Sequence, residues 1–141
     1  MTLLQANAAA VERHYGLADP ERPALAITAY LISAGAGVPV SPGIVAGQPV
    51  FEARLHALDE SVGRGERLVA RRCRHCHTPK AMAGAALHFP HIANDQVESL
   101  ERFLGRHHPR HPPLTWDSQS TADIIASLMS RLAGQPVGGS P

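Results

Sequence analysis

The chain holds only two cysteines, and they stand three apart in Cys73-Arg74-His75-Cys76-His77. A disulfide between them would close too small a loop to stabilise much, so the pair has more to offer as a grip on something else. The rest of the composition asks for such a partner. Of 141 residues, aromatic side chains make up only 4%: one Trp, two Tyr and three Phe. Aromatic rings are the large-area core formers, and a small domain poor in them needs another source of buried surface, such as a disulfide, a metal or a cofactor. At this length one domain, or one small domain with an extension, is expected.

Two cysteines three apart on a helical turn can each form a thioether to one vinyl group of a haem, and a histidine directly after the second can bind the iron. The expected cofactor is therefore one covalent haem c, attached through Cys73 and Cys76 and ligated by His77, which would supply the missing flat apolar core. Other chemistries compete for the same residues. A structural zinc site wants four ligands; a histidine from the 107–111 cluster could join Cys73, Cys76 and His77, but a second paired unit at finger-like spacing is absent. A thioredoxin-like redox pair needs a strand–helix context in an α/β fold, and the pattern offers none.

Charge and hydropathy narrow the partners. The formal net charge is +1, but from Val62 to Lys80 six basic residues (Arg64, Arg67, Arg71, Arg72, Arg74 and Lys80) face Glu66 alone. That run reads either as a solvated helix face or as a docking patch for an acidic partner. Nucleic acid is disfavoured, because the chain is near neutral overall and no aromatics interleave with the arginines. The longest apolar stretches, near Ala24–Leu31 and Ile124–Met129, are too short for a membrane span. The N-terminal stretch lacks a basic region and a sustained apolar core, so no signal peptide is visible.

Periodicity points to an all-α fold, with no competing strand pattern. Helices are expected over Leu3 to about Tyr15, from Pro23 to about Ser33, and from Asp59 to the motif, where Val62, Gly65, Val69, Arg72 and Cys73 recur at spacings of three and four. Between them, Val38 to about Val50 reads as an irregular Pro/Gly-rich connection. A Gly/Pro-containing loop should follow the motif to about Ala93. Asn94 then suits the N-cap of a helix to Arg106 with Val97, Leu100, Phe103 and Leu104 on one face. Ser120 and Asp123 resemble a capping box for a last helix to about Ala133, and the tail should be disordered.

The stretch Gly63–Thr78, with its helix running into Cys73-Arg-His-Cys-His77, resembles the N-terminal helix and haem-attachment site of class I cytochromes c. Phe89-Pro90-His91-Ile92 resembles that family's proline loop, and Thr121–Leu132 its closing helix. The likeness covers about residues 59–135. It implies a small class I cytochrome c domain there, behind a helical N-terminal extension and linker over 1–58 and before a tail over 136–141. It also implies that Gly65 lets the closing helix approach the first, and that the Pro90 carbonyl accepts a hydrogen bond from the proximal His77. The family's usual aromatic at the helix crossing is replaced by Ala126, Ser127 and Leu128.

The family usually supplies a Met as the distal iron ligand before the last helix, but here the loop reads Arg106-His-His-Pro-Arg-His-Pro-Pro-Leu114. His111 is the favoured sixth ligand, followed by His108 and His107, then Met82; a five-coordinate iron is the remaining option. Met129 reads as packing, and His14, His56, His75, His88 and His91 as ordinary surface or haem-edge residues. The segment Ala24–Val40 is similar to the closing helix and exit of dihaem cytochromes of sulfur-compound oxidation, so the chain can be half of such a protein or a relative without the first haem. The implied function is single-electron transfer with another cytochrome or a periplasmic oxidoreductase, in the periplasm or another exported space. Two alternatives stand beside it: a haem-bearing subunit of an enzyme oxidising a sulfur or nitrogen compound, and a zinc-binding interaction module.

Overall fold

Thr2 opens the first helix through a reciprocal cap: its hydroxyl accepts from the Gln5 N–H, and its own N–H donates to Gln5 Oε1. This is the start of a computed structural model that describes residues 1–39, 49–107 and 114–136, with the backbone alone for 49–58 and Pro79. Helix α1 (Leu3–Tyr15) buries Leu4, Ala8 and Val11 along one face and ends where Gly16 turns left-handed at φ 63°. Helix α2 (Glu21–Ala34) starts two residues before the expected Pro23, which fits inside its first turn because no carbonyl there needs the missing N–H. The two helices pack as a hairpin around Leu4, Ala8, Ala24 and Leu25, with Trp116 against them.

Polar contacts among the described residues tie that hairpin to the rest of the chain. Gln5 Nε2 donates to the Trp116 carbonyl at 3.0 Å. Arg102 makes a two-pronged pair with Glu21, at 2.5 and 2.9 Å.

Helix α3 (Pro49–Arg72) begins ten residues before the expected Asp59 and runs unbroken through residues 58 and 59, where the sequence suggested the start of the second unit. Pro49 closes the proline-rich stretch yet suits a first helical position, which hid the boundary. Residues 40–48 of the expected connection lie outside the described residues. The loop expected after the motif contains a helix instead: α4 (Pro79–Ala86) is capped by the Thr78 hydroxyl, which accepts from the Ala81 N–H. Its alanines favour that state.

The helix expected from Asn94 is also corrected. Asn94 and Asp95 take φ of 51° and 58° in the two-residue turn of a hairpin, β1 (His91–Ala93) paired antiparallel with β2 (Gln96–Glu98). These residue types tolerate left-handed backbone, and a two-residue turn of that hand matches strand twist. Helix α5 (Leu100–His107) starts only after Ser99, whose hydroxyl caps the Arg102 N–H. The last helix, α6 (Gln119–Ser130), is capped by Ser118 rather than Ser120. With six helices and one short hairpin among the described residues, the fold is mostly helical, as expected.

The main core lies where α3, α5 and α6 meet, around Val69, Leu100, Leu104, Leu114, Ile124, Ile125 and Leu128. Helices α3 and α6 make the most extensive contact in the chain. Gly65 permits it: a Cβ there would stand 1.9 Å from the Asp123 carbonyl oxygen and 2.8 Å from Ser127 Cβ. The expected close approach at Gly65 is thus present, and the small Ser127 stands beside it.

The crossing is also pinned by charge. Buried Asp123 accepts from Ser61 Oγ (2.6 Å), Arg64 Nε (2.8 Å) and Gln119 Nε2 (2.8 Å). Burial alone would raise its pKa, but the hydrogen bonds from Arg64, Ser61 and Gln119 outweigh it and hold the carboxyl below its usual 3.8. A depressed pKa adds stability above the unfolded value, lost as pH falls through the folded one. Asp123→Asn should therefore cost about 1–3 kcal/mol at neutral pH. Its penalty should shrink below pH 3.8 in denaturant titrations, as the wild-type carboxylate protonates.

Candidate functional site

The motif continues the helical path of α3. The Cys73 N–H donates to the Val69 carbonyl at 2.9 Å, and the N–H groups of Cys76 and His77 donate to the Cys73 carbonyl at 3.1 and 3.0 Å. One turn therefore carries all three residues and splits their environments. Cys73 is buried at 4% exposure, and burial pushes its thiol pKa up against the pull of Arg72. Cys76 and His77 are exposed.

Cys73 and His77 line the same cavity, about 170 Å³ in volume and walled by α3, α4, α5 and α6. Its walls are apolar: Val69, Leu100, Leu104, Ile124 and Leu128, with the small Ala81, Ala85 and Ala86 on the α4 side. Met82 from α4, Phe89, and Phe103 and His107 from α5 reach it as well. The His77 and His107 rings stand 5.8 Å apart between centroids, inclined at 36°. Both residues are exposed, so that side of the cavity opens to solvent.

Several elements fix His107. Its ring stacks on Phe103 at 4.5 Å and 25°, and Phe103 in turn packs on Phe89 at 5.1 Å. Phe103 and His107 lie four apart, on one face of α5. The Arg106 guanidinium lies 5.2 Å over the Phe103 ring, and it pairs with Glu98 of the hairpin. The hydrogen bonds from Arg106 hold the Glu98 carboxyl below the usual carboxylate range. Glu98 also meets His91 across the two strands at 3.3 Å. The hairpin thus anchors the last turn of α5. The Phe89–Phe103–His107 stack went unread in the sequence, although the spacing of Phe103 and His107 was its one available signal.

The other expected site residues scatter. Pro90 follows a cis peptide bond and borders a second, larger apolar cavity that Leu4, Leu31 and Met129 also line. No hydrogen bond joins it to His77 among the described residues. His111 and His108 lie outside the described residues. Met129 is partly buried against the core, as packing. His14, His75 and His88 are exposed, as expected of ordinary histidines. Arg71, Arg74 and Lys80 are exposed close in sequence to Cys76 and His77.

The donor set bears on which group the site could hold. Among the described residues, no three His, Cys, Asp or Glu side chains are grouped to hold a metal ion. A tetrahedral zinc site takes its ligands from the protein, three or four of them, and a haem brings its own four nitrogens and asks the protein for one or two. A buried thiol, an exposed thiol one turn on, an imidazole on the same cavity and apolar walls fit a haem bound by two thioethers.

No helix among the described residues is long and apolar enough to cross a membrane. No family model, no curated protein and no solved structure matches this chain.

Proposed function

We propose that this chain is a c-type cytochrome with one covalent haem, folded as a small class I-like domain with a helical extension, and that it passes single electrons to and from a redox protein. The observation that carries the reading is the shared cavity: Cys73 and His77 of a C-x-x-C-H turn open onto one apolar slot. When bound, the haem supplies a one-electron couple; the chain's residues set its surroundings. Cys73 and Cys76 hold it by thioethers and His77 binds the iron. Val69, Leu104, Ile124 and Leu128 exclude water, which influences the potential. The solvent-facing side at Cys76 and His77, beside Arg71, Arg74 and Lys80, suits the approach of an acidic redox partner. Such attachment belongs to an exported compartment, so we place the protein in a periplasm or similar space.

The test is to make the protein alongside a haem c maturation system and record an alkaline pyridine haemochrome spectrum and an intact mass. We expect a c-type α-band and the mass of one added haem. Cys73→Ala or Cys76→Ala should leave one thioether and shift the α-band towards the single-vinyl type. The double variant should carry no covalent haem. A colourless wild type with two free thiols would sink the proposal.

A further inference from the structure

We infer that His107, at the end of α5, is the second axial ligand, opposite His77. This rests on the haem reading above and adds the iron's other side to it. Three observations point to it. First, both rings line one cavity, so both reach the volume next to Cys73. Second, their separation suits a metal between them. A metal–imidazole bond is about 2.0–2.1 Å, and the ring centre lies about 1 Å behind the ligating nitrogen, so two imidazoles across one ion stand roughly 6 Å apart. The observed 5.8 Å is close to that. Third, His107 is held in place before any ligand arrives. Phe103 stacks on its ring at 4.5 Å. Arg106 and Glu98 tie the same helical turn to the hairpin.

Met82 reaches the same cavity, but its side chain is partly buried against the main core and serves as packing there. Ligation by His77 and His107 would close both axial positions. The protein would then be a low-spin carrier rather than a site for small-molecule chemistry, and its potential would lie below that of a His/Met relative.

The experiment uses the matured, haem-bearing full chain and reads optical and low-temperature EPR spectra of wild type, His107→Ala, His111→Ala and Met82→Ala. Expected is a low-spin ferric wild type. His107→Ala should turn high-spin and return to low-spin on adding imidazole, a rescue that requires an intact pocket. The other two variants should stay low-spin. His107→Met should keep a low-spin iron and raise the midpoint potential. A low-spin His107→Ala, a high-spin wild type, or a switch to high-spin in His111→Ala or Met82→Ala instead would each overturn the assignment while leaving covalent haem in place. Loss of the c-type haemochrome in wild type would overturn the haem reading itself and this assignment with it.

Discussion

Gly65→Ala should cost the fold about 3 kcal/mol or more, at the upper end of overpacking effects. The added methyl group would have to share space with the Asp123 carbonyl oxygen, 1.9 Å away, and the atoms it meets first belong to backbone. A flexible side chain could swing aside; a carbonyl in the middle of α6 cannot move without dragging the helix. Separating the helices would also pull Asp123 from Ser61 and Arg64 and open the core at Val69 and Ile124. For a chain of this size that is a fall in melting temperature on the order of 10 °C. Gly84→Ala supplies the control. It sits in α4 with no neighbour within 4 Å of the added carbon, and alanine is the better helix former, by about 0.5–1 kcal/mol. Thermal unfolding followed by circular dichroism should show the first variant falling and the second holding or rising. Equal melting temperatures for the two would mean that α3 and α6 do not cross at Gly65.

The residues that the sequence made legible are those whose chemistry is local. The Cys73–His77 turn and the apolar stripe of α6 could be read from spacing, α1 from its alanine-rich composition, and the close approach at Gly65 only from a resemblance. What stayed hidden depends on contacts between distant segments, or on residues with two uses. Asn94 and Asp95 are good helix caps and also good left-handed turn residues. The hairpin prevails there because Glu98 then reaches both His91 and Arg106. Ser118 and Ser120 could each cap the last helix, and the Thr121 N–H donating to Ser118 Oγ, with Thr121 Oγ1 bonded to the Thr115 carbonyl, favours the earlier one. Pro49 marks the end of a proline-rich stretch and the start of a helix, so composition pointed one way and backbone geometry the other. At the site, the motif named Cys73, Cys76 and His77. It put His111 ahead of His108 and His107, because sequence position alone does not show which side chain α5 carries to the cavity. His107 is brought there by an aromatic stack whose members, Phe89 and Phe103, are fourteen residues apart in sequence.

The haem-bearing chain should melt well above the same chain produced without the maturation system and kept reduced. The sequences are identical, so the difference reports the haem alone. The expectation follows from what the protein part buries. Two of its six aromatic residues, Tyr15 and Tyr30, are 76% and 71% exposed. Among the described residues its largest fully buried side chains are Leu4, Ile124, Thr121 and Ser127. Meanwhile Val69, Leu100, Leu104, Ile124 and Leu128 line a cavity of about 170 Å³. These side chains face a cavity that opens to solvent, and a haem packed there would take their apolar surface out of water, at roughly 25 cal/mol per Å². Two thioethers add to this by keeping the group at the site, so it cannot dissociate as the chain loosens. The matured form is thus expected to gain on the order of 10 °C or more in melting temperature. It should also unfold more cooperatively, since Cys73 just after α3, His77 and the α5 wall would all hold one rigid body. Matching melting temperatures for the two forms would show that the cavity is not where the haem packs. The aromatic poverty of this chain would then need another explanation.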